Sequence, residues 1–141
     1  DVTIQAQILD LIGELKRDLS MGVLLITHDL GVVAQHARRV AVMYAGRIVE
    51  QGPIADLFAH PLHPYTCGLL ASIPKGGAEP DRLAEIEGMV PALTDMPAGC
   101  AFESRCPRAF ERCKRERPEL LSAEPQRHVA CFAAMPELVR G

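Results

Sequence analysis

Length, composition and charge limit what this chain can be. It has 141 residues, of which 48% are hydrophobic and 23% charged, and these are the proportions of an ordinary globular domain. Fifteen Lys and Arg against eighteen Asp and Glu give a formal net charge of -3, so no global basic field attracts nucleic acid and we expect no nucleic-acid partner. The longest apolar runs fall far short of the ~20 residues of a membrane-spanning helix, and we expect a cytosolic chain.

The first predicted element is an amphipathic helix. Asp1 or Thr3 can cap its start, and Gly22 lies just past its end. Because Asp1 leads directly into the helical pattern, we expect the chain to be a fragment of a larger domain. The apolar residues that recur every three or four positions on one face are Ile4, Ile8, Leu11, Ile12, Leu15 and Leu19.

A short apolar run follows the first helix. Val23–Thr27 has no polar alternation, which is typical of a strand buried on both faces in a parallel sheet. His28 and Asp29 close this predicted strand, and Leu30–Arg38 is predicted to form a second helix with Asp29 as its cap. A helix followed by such a strand is half of a βαβ unit, so the pattern predicts an α/β fold.

The rest of the chain contains a predicted hairpin and several short elements. The hairpin turn falls at Gly46, which can adopt the positive φ that a tight turn requires. The predicted elements are strands at Val40–Tyr44 and Ile48–Glu50, helices at Pro53–Ala59 and Pro64–Ile73, a loop at Pro74–Pro80 and a strand at Leu83–Val90.

Four of the five cysteines lie in the last third of the chain. They are Cys100, Cys106, Cys113 and Cys131, separated by five, six and seventeen residues. These gaps do not match the C-x₂₋₄-C knuckles of common zinc sites, whereas four thiolates are the ligand set of a 4Fe–4S cluster. Structural zinc and free or disulfide-bonded cysteines are the alternatives. Cys67 stands outside the set, and we expect it to be a small buried apolar residue.

Two further observations favour a metal site. Residues 101–118 carry six basic and three acidic side chains, a net charge of +3 that would stabilise a negative cluster, although a solvated Arg-rich helix would give the same pattern. A region of this size rarely gains more than ~3 to 5 kcal/mol of folding free energy from packing alone. A bound metal would add to its stability. Its predicted core is Met89, Val90, Leu93, Phe102, Phe110, Leu120 and Val129.

The first part of the chain resembles the end of an ABC ATPase domain. The matching segments are DVTIQAQILDLI, ITHDLGVV and RRVAVMYAGRIVEQG. The resemblance implies that His28 is the switch histidine, which contacts the γ-phosphate of ATP and helps to hold the attacking water. It also implies that Asp1 is the D-loop aspartate, which faces the opposite nucleotide site of the ATPase dimer. Taken without the resemblance, the His28-Asp29 pair could simply cap the next helix, and Asp1 could cap the first.

The second part resembles a narrower group. HPLHPYT at residues 60–66, followed by LLASIP, is similar to the box that opens the C-terminal extension of oligopeptide and dipeptide importer ATPases. The run RLAEIEGMVPALTDMPAGCAFESRCPRAFERC is similar to their dipeptide-type subunit, and that likeness includes the cysteine pattern. The residues themselves predict a turn, since each Pro restricts its predecessor and Pro64 can start a helix. A metal site at His60 and His63 is the weaker alternative.

The resemblance implies a fold and a function. Residues 1–59 would be the C-terminal part of an ABC ATPase domain of the P-loop NTPase type, and residues 60–141 a small irregular extension with the four-cysteine site. The implied function is ATP-driven import of peptides or related small solutes at the cytoplasmic face of the membrane, with ATP and Mg²⁺ as cofactors. The implied partners are a second ATPase subunit, two permease subunits and an extracytoplasmic solute-binding protein.

The fragment lacks most of the catalytic motifs of that family. No GxxxxGK[ST] phosphate loop occurs, and the signature motif and Walker B pair are missing as well, so we expect the 141-residue chain alone neither to bind nor to hydrolyse ATP. The alternative from another class is a stand-alone metal-binding module, structural or redox-sensing, in which the ATPase-like part is only scaffold.

Overall fold

A computed structural model describes residues 2–73, 85–92 and 94–135. The chain divides into two compact units, residues 1–38 and residues 39–141. The predicted division after residue 59 follows a family resemblance and stays a prediction. No helix in the described part of the chain is long and apolar enough to cross a membrane.

The first unit contains two helices, as predicted. Helix α1 spans Val2–Asp18 and helix α2 spans Leu30–His36. Asp29 caps α2, since its Oδ1 accepts hydrogen bonds from the amides of Gly31 at 2.8 Å and Val32 at 3.2 Å. The helix predictions are therefore confirmed, with ends that differ by one or two residues.

The strand predicted at Val23–Thr27 is not formed. Residues 21–27 have no regular structure, and the side chains of Leu24 and Ile26 are 88% and 89% exposed. A strand is held by hydrogen bonds to neighbouring strands, and among the described residues none pairs with this segment. The prediction of a parallel-sheet strand is therefore wrong for this structure.

The second unit is built on a four-stranded antiparallel sheet. Its strands are β1 Arg39–Tyr44, β2 Arg47–Pro53, β3 Leu121–Glu124 and β4 Arg127–Val129, in the order β1-β2-β4-β3. The β1–β2 hairpin confirms the prediction, and its turn residues Ala45 and Gly46 have φ of 46° and 77°. With its helices, the described chain is a mixed α/β structure.

The described part of the second unit also contains three short α-helices, and single 3₁₀ turns at Glu103–Arg105 and Phe132–Ala134. The helices are α3 Ile54–Ala59, α4 Pro64–Ala71 and α5 Glu111–Arg115. Helices α3 and α4 confirm the predictions, and Pro64 occupies the first turn of α4 as expected. The strand predicted at Leu83–Val90 is wrong over residues 85–90, which have no regular structure, and the predicted loop at Pro74–Pro80 lies outside the described residues.

The core of the second unit is aromatic. Tyr44, Val49 and Phe102 form its buried cluster, and the Tyr44 ring lies 5.1 Å from that of Phe102 and 4.7 Å from that of Tyr65. This core differs in part from the predicted one. Of the predicted core residues, Phe102 and Val129 are buried, Phe110 and Leu120 are half-buried, Met89 and Val90 are exposed, and Leu93 lies outside the described residues.

Candidate functional site

Of the two residues predicted to contact a nucleotide, the structure describes His28. His28 is exposed, lies between Thr27 and the cap residue Asp29, and makes no hydrogen bond with another described residue. Asp1 lies outside the described residues. Their roles toward ATP therefore stay predictions.

The four late cysteines line one small cavity. Cys100, Cys106, Cys113 and Cys131 all contribute to its wall, and its volume of about 10 Å³ leaves room for about one water molecule. All four are free thiols, so none of them forms a disulfide with another described cysteine. Sequence positions up to 31 residues apart thus meet at one point of the fold.

Backbone contacts bring the cysteines together. The amide of Cys100 donates a 2.8 Å hydrogen bond to the carbonyl oxygen of Cys113, and the amide of Cys106 donates to Glu103 at the end of a single 3₁₀ turn. Gly99 makes the first contact possible, because a Cβ there would lie 2.2 Å from the Cys113 carbonyl oxygen. Glycine is therefore required where these two segments touch.

The environment favours the protonated thiols in the metal-free protein. Burial raises the pKa of Cys100 to about 11 and also raises the pKa values of Cys106 and Cys131. A metal ion binds the thiolate, so metal binding at this cavity must release protons.

The cavity wall has the type and number of donors that a metal–sulfur group needs, but not their placement. The side chains as they stand do not form a ligand cage: among the described residues, no group of three or more His, Cys, Asp or Glu is arranged to hold a metal ion. The space between the thiols is also smaller than a cluster. A metal–sulfur group could therefore bind only after the cysteine side chains move.

The basic residues near the cavity fall into two groups, one that lines the cavity and one on α5. Arg108 lines the cavity and donates a 2.7 Å hydrogen bond to the carbonyl oxygen of Ala133, so a cation lies beside the thiols. The basic residues of α5 instead form exposed pairs with neighbouring acids, as Arg115 does with Glu111 at 2.8 Å. The predicted alternative of a solvated Arg-rich helix thus describes α5, and Arg108 is the basic residue that can stabilise a negative group.

The second histidine of the HPLHPYT box also lines the cavity. His63 is buried, its ring centroid lies 5.8 Å from that of Phe102, and its Nδ1 accepts a 3.0 Å hydrogen bond from the amide of Tyr65, which caps α4. Burial lowers its pKa to about 4, so the ring is neutral at physiological pH. No local pattern predicts this contact, because it depends on packing between segments that are 37 or more residues apart.

A buried ion pair fixes the position of the box. Both oxygens of the Glu50 carboxylate accept 2.9 Å hydrogen bonds, Oε1 from the amide of Leu62 and Oε2 from the amide of His63. Arg127 donates to the same carboxylate at 3.1 Å and to the carbonyl oxygen of His60. The box is therefore tied to β2 and β4 through one carboxylate and one guanidinium.

Comparison with known proteins identifies the family. Residues 49–113 match the family model described as "Oligopeptide/dipeptide transporter, C-terminal region". Residues 49–113 therefore belong to this family. The chain is 51% identical over 132 residues, 94% of the chain, to the oligopeptide transport ATP-binding protein AppD of Bacillus subtilis. It is 46% identical over 139 residues, 99% of the chain, to the oligopeptide transport ATP-binding proteins OppD of Salmonella typhimurium and of Escherichia coli.

These family members are much longer than this chain. The chain spans 40% of the length of AppD and 41% of each OppD. The family match confirms the resemblance that the sequence motifs indicated. It begins at Val49, in β2, and runs through the box to Cys113. The matched region therefore includes the buried Glu50 and His63 and three of the four cavity cysteines.

The remaining predicted site residues are separate from the cavity. Cys67 is half-buried on α4 rather than fully buried as expected, and it does not line the cavity. Its Sγ donates a weak 3.5 Å hydrogen bond to the carbonyl oxygen of Pro61. His60 is exposed whereas His63 is buried, and the structure does not combine them in a metal site of the described residues.

Proposed function

We propose that this chain is part of the ATP-binding subunit of an ABC importer that couples ATP hydrolysis to the uptake of peptides or related small solutes. The observation that supports it is identity of 46% to 51% over nearly the whole chain to proteins named as oligopeptide transport ATP-binding proteins. The subunit would work at the cytoplasmic face of the membrane, with a second ATPase subunit, two permease subunits and an extracytoplasmic solute-binding protein.

In this proposal His28 is the switch histidine of a P-loop NTPase domain. A neutral imidazole can donate one hydrogen bond to the γ-phosphate and accept another from the nucleophile side. The exposure of His28 leaves its ring accessible to a nucleotide. Asp1 would face the nucleotide site of the other ATPase subunit. ATP and Mg²⁺ would bind residues outside this chain, since it has no phosphate loop.

The test is the ATPase activity of the full-length subunit in its transporter. We expect His28→Ala to retain ATP binding and to lower turnover by about a hundredfold or more, the usual effect of losing a group that handles the nucleophile. His60→Ala is the control, because its side chain is also exposed and lies in the other unit. Near-normal turnover of the His28 variant would remove its assigned role. Turnover by the isolated 141-residue chain would contradict our expectation that it is inactive.

We further propose that the cysteine cavity holds a 4Fe–4S cluster with Cys100, Cys106, Cys113 and Cys131 as ligands. The supporting observation is that four free thiols line one cavity beside Arg108. A bound cluster would supply a cross-link between four points of the chain, which stabilises a region with a small core. A single zinc ion needs less space and is the alternative occupant.

Iron, sulfide and zinc analysis of anaerobically purified protein tests this second proposal. We expect four iron and four sulfide per chain, with the brown colour and visible absorption of a cluster. Cys106→Ser should lose this absorption, whereas Cys67→Ser should keep it, because Cys67 lies outside the cavity. A colourless protein with one zinc would establish a zinc site instead, and a metal-free protein would show free thiols.

A stand-alone metal-binding module is the function from a different class. In that case the cysteine cavity would be the whole functional site and residues 1–38 would serve as scaffold. Reading the gene upstream of the codon for Asp1 separates the two. A phosphate loop and a signature motif in frame support the ATPase subunit, and a start codon immediately upstream supports the module.

A further inference from the structure

Cys100 and Cys113 are the two cavity cysteines whose backbones are in direct contact. The Cys100 amide donates a 2.8 Å hydrogen bond to the Cys113 carbonyl oxygen. With standard bond lengths, this contact keeps the two Cα atoms within about 6.7 Å of each other. Disulfides span Cα–Cα distances of roughly 4.4 to 6.8 Å. Among the described residues, no other backbone hydrogen bond joins two of the four cavity cysteines. The backbone therefore places this pair within reach of a disulfide.

The two residues also line the same cavity, and both are free thiols. Burial is the main cause that raises the pKa of Cys100 to about 11; a hydrogen bond from the Phe102 backbone lowers it, and of the neighbouring thiols Cys113 raises it most. The two thiols are therefore close enough to affect each other. The narrow space is no obstacle to a disulfide, because its two sulfur atoms bond directly at about 2.05 Å with no atom between them.

We propose that Cys100 and Cys113 form a disulfide when the metal-free protein meets a peroxide, so that the cavity is a site of reversible oxidation. The proposal goes beyond the transport function and does not depend on a bound metal. In a reducing compartment such a bond forms under oxidation and is reversed by thiol exchange. The disulfide and a metal–sulfur group exclude each other, because a metal binds cysteine as the thiolate.

The reaction has two steps. Cys100 is half-buried whereas Cys113 is buried, so hydrogen peroxide reaches Cys100 first. The Cys100 thiolate attacks one peroxide oxygen and the O–O bond breaks; Cys100 becomes a sulfenic acid, and the released hydroxide takes up the proton that the thiol lost and forms water. The Cys113 sulfur then attacks the Cys100 sulfur, the S–O bond breaks, and the hydroxide leaves with the Cys113 proton as a second water. Two thiols are oxidised to one disulfide, and the peroxide is reduced to water.

This pairing is characteristic of the folded protein. Cys106 lies between Cys100 and Cys113 in the sequence, so an unfolded chain closes a shorter loop when Cys106 is one of the partners. Loop-closure entropy then makes the Cys100–Cys113 bond about threefold rarer than the Cys100–Cys106 bond. In the folded protein the backbone contact holds the two residues together, and we expect the reverse order, by about tenfold or more. The identity of the bonded pair therefore reports the contact.

Peptide mapping of the oxidised full-length protein tests the proposal. Any bound metal is first removed with a chelator and a reductant, the protein is treated with hydrogen peroxide, and the remaining thiols are blocked with N-ethylmaleimide. Trypsin then places the four cysteines on separate fragments, 83–105, 106–108, 113–114 and 128–140. Mass spectrometry identifies which fragments are joined. We expect fragment 83–105 to be joined to fragment 113–114, and a reductant to separate them. The same oxidation in urea gives the pairing of the unfolded chain.

Two variants serve as matched controls. Cys106→Ser should keep the joined fragments, and Cys113→Ser should lose them. The proposal is overturned if the folded protein joins Cys100 mainly to Cys106 or Cys131, or if Cys100 and Cys113 stay unjoined at a peroxide concentration that oxidises the cysteines in urea. The wild-type map alone decides this, so the proposal stays testable if a variant does not fold. Metal analysis of the purified protein decides the cluster proposal separately, and either proposal can fail while the other holds.

Discussion

The carboxylate of Glu50 and the guanidinium of Arg127 form an ion pair from which water is excluded. Their atoms Oε1 and Nη2 are 3.1 Å apart, and the two side chains are 0% and 3% exposed. Gly52 makes room for the arginine, because a Cβ there would lie 2.9 Å from the Arg127 Cγ. Residues 77 positions apart in the chain are thus paired beneath the His-Pro box, and the pair connects the sheet to the cavity wall.

Breaking this pair should destabilise the second unit severely. Glu50→Gln removes the fully buried counter-charge of Arg127 and leaves the half-exposed Glu124 carboxylate as its charged partner, so we expect a loss of about 3 to 5 kcal/mol. The loss of stability is measured by native-state hydrogen exchange of the Ala130 amide, because that amide donates a hydrogen bond to the carbonyl oxygen of Val49 in the sheet. Glu124→Gln is the control: its carboxylate contacts the same guanidinium at 2.8 Å but is 51% exposed, and we expect a loss of no more than about 1 kcal/mol. Equal losses in the two variants would contradict this account.

The hairpin turn offers a stabilising change. Ala45 and Gly46 both have positive φ, as in a type I′ turn, and this conformation costs alanine about 1 kcal/mol. Asn tolerates it, so Ala45→Asn should stabilise the hairpin by about 0.5 to 1 kcal/mol in denaturant unfolding. Ala41→Asn makes the same chemical change at an exposed position of β1, where Asn is a poor strand former, and should not stabilise. A loss of stability in Ala45→Asn would exclude turn strain as the dominant effect.

Local signals in the sequence were sufficient for part of the fold. The cap residue Asp29, the turn residue Gly46 and the helix-starting Pro64 all act within a few positions, and each marks an element that the structure contains. The strand predicted at Val23–Thr27 depends on neighbouring strands, and its apolar pattern does not state whether they are present. An apolar run therefore predicts burial only where a partner surface exists.

The arrangement around the cavity required long-range information. Val49 and Glu50 are consecutive and both buried, and a bulge in the β1–β2 register between Val42 and Met43 leaves Val49 without a partner residue on β1. The partner of Glu50 is supplied by β4, which no local pattern indicates. The four cysteines were predicted as one set, but His63 and Arg108 in the same wall emerge only from the packing.

The contact between Gly99 and the Cys113 segment predicts a sharp steric effect. Gly99→Ala would place a methyl group 2.2 Å from the Cys113 carbonyl oxygen, and backbone atoms of Lys114 lie at 2.5 Å. The two segments must separate, so we expect a loss of about 2 to 4 kcal/mol and a loosened cysteine cavity. Gly13→Ala in α1, where no atom lies within 4 Å, should instead stabilise by about 0.5 to 1 kcal/mol. Thermal unfolding and the rate of cysteine alkylation measure both effects, and unchanged alkylation in Gly99→Ala would contradict the contact.

Burial of His63 predicts a specific dependence of stability on pH. Its pKa falls from 6.5 in the unfolded chain to about 4 in the folded protein, so between these values the unfolded state binds the extra proton. The contribution of the neutral His63 ring to the free energy of unfolding is fully present above pH 6.5 and is lost as the pH falls toward 4. From pH 8 to pH 5 we expect this group to lower the free energy of unfolding by about 2 kcal/mol.

Other groups titrate over the same range, so the comparison is made with His63→Asn, which keeps the cap but cannot be protonated. The metal-free protein is used, and the free energy of unfolding is measured at pH 8 and pH 5 by urea denaturation. Wild type should lose about 2 kcal/mol more than His63→Asn between the two values. Equal losses would mean that His63 is solvated or carries a proton in the folded state, and a protonated ring could not hold the Tyr65 amide through Nδ1.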